Sequence, residues 1–318
     1  MLKLIAWGAS KILEIQQRGA PHSFAYCIDN FGKAIAFAEL EVRTESALES
    51  EDKDNVMVVI FAVSNGALVS ITKRLHEFGY EYKKNFIYYS DFMLEQFAGR
   101  VRTNLKVEFS PELYDFALSS TLNSAKPVHT TIFGTYLNLQ LVEFTKSLSG
   151  DYAEVGAFEG GNALCLLSYM TNRVAKKYYI FDSFEGFPEL SRFDPKKFSK
   201  GDHKTYKSFE QIKMDFSLQS KAKLIKGFIP GSLSQVPSDA LFSLVFFDCD
   251  LYQPALDTFS YFWPRLTSGG FLPIHDYFCE EGGFDGVKKA THEFFDVRND
   301  VELLYFPEST MAIAKKTR

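Results

Sequence analysis

The segment "DYAEVGAFEGGNALCLLSYM", residues 151–170, combines a short apolar strand, a glycine-rich turn and an apolar helix. Gly156, Gly160 and Gly161 permit a close backbone approach to a ligand, and the free amides of the following helix point toward the same turn. Glu154, just before the turn, is predicted to accept a hydrogen bond from an ammonium group. Packing alone requires glycine in many such turns, so the assignment depends on a second signal.

The second signal is Asp182, which ends the next predicted strand, "KKYYIFD". An acid at this position of a strand–helix–strand unit can accept hydrogen bonds from both ribose hydroxyls of a nucleoside. The alternative is that Asp182 caps a helix in the following "SFEGFPEL", because Asp is a favoured N-cap residue. A glycine turn and an acid one unit apart favour nucleoside binding.

Alternating strands and helices continue to the C-terminus, which predicts a parallel sheet with crossover helices. Ligands of such sheets bind outside the carboxyl ends of the strands. The remaining predicted strands are "AKLIKGFI" (222–229), "SLVFFDCDLY" (243–252) and "GGFLPIHDYF" (269–278), followed by a hairpin of "VELLYF" (301–306) and "TMAIAKK" (310–316).

Acidic side chains follow two of these strands. Asp248 and Asp250 come after the fourth strand, and His275 and Asp276 come after the fifth. Neighbouring strands lie about 4.8 Å apart, so their end loops converge. Three carboxylates and an imidazole gathered there would repel one another without a cation, and such a donor set suits Mg²⁺ or Mn²⁺. Alternatively, Asp250 caps the helix "PALDTF" and the others are solvated.

The N-terminal part, residues 1–92, is predicted to form a smaller Rossmann-like domain. Its strands are "KLIAW", "FAYCIDN", "NVMVVIFAV" and "NFIYY", separated by helical segments. The turn at residues 8–10 lacks the later glycines of a dinucleotide fingerprint, although Asp29 stands where a ribose-binding acid is expected. We favour a domain retained for packing or dimerisation over a nucleotide site. A helical connector is predicted for residues 93–135 and the main domain for residues 136–318.

Composition limits the cellular setting and the partners. The formal net charge of −5 argues against an extended nucleic-acid surface. The four cysteines have no CxxC pairing, which predicts reduced thiols and a cytoplasmic protein. No apolar run approaches the length of a membrane span. A homodimer is expected from the frequency of twofold assemblies.

Five motifs in order are similar to those of the macrocin O-methyltransferase (TylF/MycF-like) family: "EVGAFEGGNA", "DSFEGFP", "DCDLYQPALDTF", "SGGFLPIHDY" and "DGVKKATHEF". The resemblance covers roughly residues 136–318. It implies a class I methyltransferase sheet and S-adenosylmethionine-dependent, Mg²⁺-assisted methylation of a sugar hydroxyl. It also implies a cofactor pocket lined by Glu154, Gly156, Ala157, Asp182 and Ser183, to which we add Gly160, Gly227 and Phe228. The implied metal ligands are Asp248, His275 and Asp276.

One departure from the family pattern concerns the metal. Two adjacent acids usually precede the tyrosine, whereas this chain has His275 and Asp276. Either His275 is a nitrogen ligand, which shifts the preference toward Mn²⁺, or Asp276 serves alone. Candidates for the base that accepts the sugar proton are Asp248, His275 and His203. His203 lies in a polar stretch, residues 198–211, that can act as a lid.

The leading hypothesis is a metal-assisted sugar O-methyltransferase whose acceptor sugar is nucleotide-linked or attached to a glycan or natural product. A methyltransferase acting on a catechol-like phenol is the second hypothesis, because a metal chelates adjacent hydroxyls in a similar site. A non-catalytic scaffold that keeps the fold is the third. Retention of Asp182, Asp248 and Asp276 argues against the scaffold.

Overall fold

The computed structural model divides the chain into two compact units, Met1–Asn123 with Val128–Phe133 and Ser124–Pro127 with Gly134–Arg318. Within the described part of the chain, no helix combines the length and apolar character needed to cross a bilayer. Part of the predicted connector, residues 93–109, lies outside the described residues. The structure describes residues 2–19, 24–30, 36–62, 64–92, 110–126, 128–278 and 285–318.

The first unit contains a six-stranded sheet in the order β3-β4-β2-β1-β5-β6. All neighbouring strands are parallel except β3 and β4, which form a hairpin that we did not predict. The strands are β1 Lys3–Trp7, β2 Cys27–Ile28, β3 Ala36–Phe37, β4 Leu40–Arg43, β5 Val56–Ile60 and β6 Phe86–Tyr88. Its helices include Lys11–Gly19, Asn65–Glu77 and Pro111–Leu122, and a 3₁₀ turn lies at Glu45–Ser50.

Backbone conformation and packing explain why residue 8, in the turn after β1, is a glycine. Its φ is +110°, and a Cβ atom would lie 3.1 Å from the backbone nitrogen of Ala62. A side chain would therefore strain the backbone and press on the segment that follows β5. Asp29 directly follows β2, and its amide donates to the Arg43 carbonyl at 3.1 Å. Packing alone explains Gly8, so this glycine is not evidence for a phosphate-binding site.

The second unit contains a seven-stranded sheet in the order β12-β13-β11-β10-β7-β8-β9. β13 is antiparallel to both neighbours and the other pairs are parallel, which confirms the predicted class I sheet and its closing hairpin. Its strands are β7 Asp151–Val155, β8 Tyr178–Asp182, β9 Ala222–Lys226, β10 Phe242–Phe247, β11 Leu266–Ile274, β12 Val301–Phe306 and β13 Met311–Lys316. Its helices are Gly161–Met170, Phe209–Asp215, Tyr252–Phe262 and Asp285–Phe295; Ile132–Thr145 begins at the unit boundary, and 3₁₀ turns occupy Gly231–Gln235, Trp263–Arg265 and Pro307–Ser309.

Aromatic packing fixes the centre of this sheet. All six residues of β10 are buried, as expected for a strand covered on both faces. The Phe247 ring lies 5.5 Å from that of Phe259, which in turn lies 5.2 Å from Phe295, so the two helices after β10 and β11 share one core. The strand order reverses between β7 and β10, and the sheet therefore has its topological switch point there.

Gly156 brings the turn after β7 against the loop after β10. Its φ is +93°, and a Cβ atom would lie 1.9 Å from the Asp248 carbonyl oxygen and 2.9 Å from the Cys249 sulfur. Two backbone segments therefore touch where any side chain would collide. This contact positions the glycine-rich turn beside the acidic loop.

We expect Gly156→Ala to lower the free energy of unfolding by about 2–4 kcal/mol, because it combines positive-φ strain with a backbone collision. Gly231→Ala is the matched control, since nothing lies within 4 Å of its Cβ position. Urea denaturation of the two variants checks this. Equal stability of both variants would show that Gly156 is not under this constraint.

Candidate active site

Strand register places Asp248 beside His275. Phe247 and Ile274 are paired in β10 and β11, and the His275 amide extends the ladder by donating to the Phe247 carbonyl at 2.9 Å. On the other side, the Asp248 amide donates to the Val155 carbonyl of β7 at 2.8 Å. The two side chains therefore leave the sheet at the same level, at the carboxyl ends of neighbouring central strands.

Three of the predicted metal ligands meet at this point. His275 Nδ1 lies 3.0 Å from Asp248 Oδ1 and 3.2 Å from Asp276 Oδ2. One donor atom from each residue falls within 4.8 Å of the others. The side chains are buried or half-buried, so water screens their charges only in part. The arrangement offers two carboxylate oxygens and one imidazole nitrogen to a shared point.

Thr310 contacts the second imidazole nitrogen of His275. Its hydroxyl donates to the Ser309 carbonyl at 2.7 Å and lies 3.2 Å from His275 Nε2. Because a hydroxyl has a single hydrogen, Thr310 accepts from His275 Nε2–H whenever it donates to Ser309. Neutral His275 therefore turns an unprotonated Nδ1 toward two carboxylates, where this buried atom makes no hydrogen bond.

A positive charge is needed to stabilise this arrangement. Burial opposes the imidazolium, but Asp248 and Asp276 outweigh it and raise the pKa of His275 well above its usual value. Burial also raises the pKa of Asp248, against the attraction of His275. A proton shared in the cluster or a divalent cation would both satisfy these charges.

Asp250 belongs to the same cluster. Burial and then the neighbouring carboxyl of Asp276, with which it hydrogen-bonds, raise the pKa of Asp250 well above its usual value. The capping alternative is wrong: the helix Tyr252–Phe262 has no side-chain cap, and the Tyr252 amide donates to Asp194 Oδ1 at 2.7 Å instead.

Asp182 links two turns at the end of β8. Its carboxylate accepts hydrogen bonds from the Phe158 amide at 2.8 Å and the Phe184 amide at 2.6 Å. It caps no helix, since the helix that follows β8 begins at Phe209. Burial raises the pKa of Asp182 to about 6. A carboxylate has about four acceptor positions, so two remain for ribose hydroxyls.

Glu154 lies beneath the glycine-rich turn and is only 3% exposed. Its Oε2 accepts hydrogen bonds from Tyr178 of β8 and, at 3.1 Å, from Asn162 of the helix Gly161–Met170. Burial raises the pKa of Glu154 to about 8. These contacts tie β7, β8 and the helix together, and the contact with a cofactor ammonium group stays a prediction.

Two further predicted pocket residues build the turn itself. Gly160 has φ +82° and precedes the helix Gly161–Met170, and a Cβ atom would lie 2.4 Å from the Phe216 ring. Ala157 is buried, and its amide donates to the Phe181 carbonyl at 3.2 Å. Both residues therefore favour a compact turn that keeps backbone amides near the sheet edge.

The remaining predicted pocket residues follow β8 and β9. The Ser183 hydroxyl donates to the Gly186 carbonyl at 2.8 Å. The Gly227 amide donates to the Asp182 carbonyl at 2.9 Å, and Phe228 is 40% exposed beside it. The structure thus places Gly227 next to Asp182 and leaves the Phe228 ring accessible to a ligand.

His203, the third candidate base, packs against aromatic rings. It is exposed, stacks on Phe187 with ring centroids 4.7 Å apart, and meets Phe198 edge-on at 5.2 Å. These contacts favour a packing role. Its role as a base stays a prediction.

Glu159, which we did not predict, joins the glycine-rich turn to the polar stretch. This buried side chain accepts through Oε1 from the amides of Tyr206, at 2.8 Å, and Lys207, at 3.0 Å. Its Oε2 lies 3.9 Å from Lys126 Nζ. All three partners are more than thirty residues from Glu159 in sequence, so no local pattern predicts these contacts.

Comparison with known proteins agrees with this architecture. A sequence profile of the macrocin-O-methyltransferase (TylF) family matches residues 139–304, slightly more than half of the chain. The chain belongs to this family.

The chain is 26% identical over 156 residues to the 8-demethyl-8-(2,3-dimethoxy-alpha-L-rhamnosyl)-tetracenomycin-C 4'-O-methyltransferase of Streptomyces olivaceus. It is also 26% identical over 165 residues to the mycinamicin III 3''-O-methyltransferase of Micromonospora griseorubida. Each match covers 46% of this chain and less than two thirds of the relative, 58% and 61% respectively. The solved structure of the O-methyltransferase NovP matches 72% of this chain and 98% of its own, with a TM-score of 0.50 and 20% identity. That likeness supports the fold.

The raised pKa of Glu154 predicts a pH-dependent stability. In the folded protein the pKa of Glu154 is about 8, above its ordinary value, so the folded state holds this proton more tightly than the unfolded chain does. The free energy of unfolding of the wild type therefore falls as the pH rises from the ordinary pKa toward 8. Glu154→Gln keeps an acceptor for Tyr178 and Asn162 but does not titrate. We expect the free energy of unfolding of Glu154→Gln, relative to that of the wild type, to increase between about pH 5 and about pH 8. The increase is at most about 1.4 kcal/mol per pH unit.

Urea denaturation across this pH range measures the difference. Exposed Glu189→Gln is the control and should follow the wild type at every pH. Parallel curves for wild type and Glu154→Gln would contradict the assignment.

Proposed function

We propose that this protein transfers the methyl group of S-adenosylmethionine to a sugar hydroxyl, with a divalent metal at Asp248, His275 and Asp276. Membership of the macrocin-O-methyltransferase family supports the reaction class. The name of one relative describes methylation of a molecule that carries a rhamnosyl group. The Asp182 carboxylate at the end of β8 supports a nucleoside cofactor.

The metal assignment depends on the position of His275 Nδ1 beside two carboxylates. This buried atom lies 3.0 Å from Asp248 Oδ1 and 3.2 Å from Asp276 Oδ2, and it carries no hydrogen in the neutral tautomer whose Nε2–H donates to Thr310. Two oxygens and one nitrogen fit Mn²⁺ well and also accept Mg²⁺ completed by water. When bound, such an ion would lower the pKa of a coordinated sugar hydroxyl and orient it.

The side chains of this chain supply position and proton transfer. Asp182 orients the ribose of the cofactor, and the turn at Gly156 keeps that pocket against the acidic loop, which favours in-line approach of the two reactants. An atom of Asp248 or His275 that binds the metal cannot also accept the sugar proton. Asp250 lies next to Asp276 but outside the donor set, and in its ionised form it would be the carboxylate that accepts that proton.

Calorimetric titration with S-adenosylhomocysteine, Mn²⁺ and Mg²⁺ tests the two sites separately. We expect Asp182→Ala to weaken nucleoside binding by at least about tenfold, because it removes a charged acceptor. Asp248→Asn should retain nucleoside binding and lose metal binding. Exposed Asp239→Asn is the control and should change neither. Absence of nucleoside binding in the wild type under all metal conditions would refute the proposed reaction.

Thr310 provides a second, more selective test. Thr310→Val removes the acceptor that orients His275, and we expect Mn²⁺ affinity to fall by about 10- to 100-fold. Thr267→Val, near the opposite end of β11, removes a hydroxyl that bonds Ser149 and should leave Mn²⁺ affinity unchanged. Calorimetry with Mn²⁺ compares the two variants. An unchanged affinity in Thr310→Val would remove His275 from the ligand set.

A further inference from the structure

We propose that residues 192–207, the basic segment, bind a phosphate or diphosphate group carried by the acceptor. The acceptor would then be a phosphorylated or nucleotide-linked sugar rather than a neutral glycoside. This inference rests on the proposed methyl transfer, because it names the acceptor class of the same site.

The basic segment has an unusual charge for this chain. It carries two carboxylates, Asp194 and Asp202, within a protein whose formal net charge is −5. It carries six cationic side chains, those of Arg192, Lys196, Lys197, Lys200, Lys204 and Lys207. A local excess of positive charge on an acidic protein creates a field that attracts anionic ligands.

Both carboxylates are engaged with the backbone. Asp194 accepts from the amides of Ser191, at 2.6 Å, and Tyr252, at 2.7 Å. Asp202 accepts from the amide of Ser199 at 2.7 Å. These bonds order the segment and leave neither acid paired with one of its lysines.

Three of the cations are exposed and form no ion pair with an acid in the part of the chain that the structure describes: Arg192, Lys196 and Lys204. By contrast, Lys200 pairs with Glu189 at 2.6 Å and Lys207 with Asp215 at 3.4 Å. Unpaired guanidinium and ammonium groups are the usual partners of phosphate oxygens.

The first half of the basic segment lies against elements that follow β10 and β11. Asp194 bonds the first residue of the helix after β10, Tyr252. A Cβ atom on Gly286, in the helix after β11, would lie 2.9 Å from the Phe193 carbonyl oxygen. Lys289 of that helix lies over the Phe193 ring at 4.8 Å and pairs with Glu293 at 2.5 Å, so it contributes a packing contact rather than an unpaired cation.

The second half lies against elements that follow β7 and β8. The Phe187 amide donates to the Asp202 carbonyl at 2.8 Å. The Tyr206 amide donates to Glu159 of the glycine-rich turn at 2.8 Å. The segment therefore crosses the carboxyl edge of the sheet, where Asp182 and Asp248 also lie.

Tyr206 places an aromatic surface at this edge. Its ring is 85% exposed, and it meets Phe158 of the glycine-rich turn edge-on with centroids 5.8 Å apart. Its backbone is held by buried Glu159. An exposed ring on a fixed backbone can pack against the face of a sugar or a base.

The cations of the basic segment offset a repulsion that an anionic acceptor would experience and a neutral acceptor would not. The acids at this edge, Asp182, Asp248, Asp250 and Asp276, would repel a phosphate, whereas a neutral glycoside would approach without help. A basic segment that crosses the same edge reverses the repulsion for an anionic acceptor. If the lysines only balanced the pocket carboxylates, they would give no affinity for phosphate.

Titration with uridine diphosphate, inorganic pyrophosphate and uridine tests the inference. EDTA is present throughout, so that no metal can hold phosphate at Asp248. We expect the wild type to bind both phosphates, to bind uridine at least about tenfold more weakly, and to lose phosphate affinity from about 50 to about 300 mM NaCl. The triple variant Arg192→Gln, Lys196→Gln, Lys204→Gln should bind uridine diphosphate at least about tenfold more weakly.

The matched control removes three lysines elsewhere in the same unit: Lys146→Gln, Lys177→Gln and Lys223→Gln. Lys177 directly precedes β8, at the opposite edge of the sheet. This control should bind uridine diphosphate as the wild type does. Equal affinity in the wild type and the first triple variant, or equal losses in both variants, would overturn the inference.

Titration of the same proteins with S-adenosylhomocysteine separates this inference from the proposed reaction. Nucleoside binding without phosphate binding would overturn only the basic segment's role. Segment-dependent phosphate binding without nucleoside binding would support that role and refute the methyl transfer. Retained nucleoside binding in the first triple variant also shows that it is folded.

Discussion

The backbone contact between Gly156 and Asp248 controls the geometry of the candidate site. A Cβ atom at residue 156 would lie 1.9 Å from the Asp248 carbonyl oxygen, so the two loops touch as closely as backbone allows. This contact brings the turn that carries Phe158, and with it Asp182, against the loop that carries Asp248. The turn that Asp182 holds and the acidic cluster therefore adjoin because residue 156 has no side chain.

Several buried or half-buried acids at this edge oppose folding. Burial raises the pKa of Glu154, Asp182 and Asp248 above their ordinary values, so ionising them costs stability in the folded protein. Aromatic packing around Phe247 and Phe259 offsets that cost in the core beneath. Functional sites are the regions where proteins retain such unfavourable charges, and a bound cation would relieve those nearest His275.

Local sequence patterns predicted the strands and turns, which depend on neighbouring residues in the sequence. The apolar run before Asp248 and the glycines after Val155 indicated the strands and their ends, and strand order then brought Asp248 to His275. Contacts between distant segments were not predictable: Thr310 reaches His275 across the closing hairpin. The sequence left Asp250 open between the acidic cluster and a helix cap for the same reason, since its partner, Asp276, follows a different strand.

We infer that one sheet edge holds a metal and a nucleoside in adjoining positions. Crystals grown with Mn²⁺ and S-adenosylhomocysteine, measured for anomalous scattering, test it most directly. We expect an anomalous peak in contact with Asp248, His275 Nδ1 and Asp276, and ribose hydroxyls hydrogen-bonded to the Asp182 carboxylate. A peak elsewhere, or an ordered nucleoside that avoids Asp182, would contradict it.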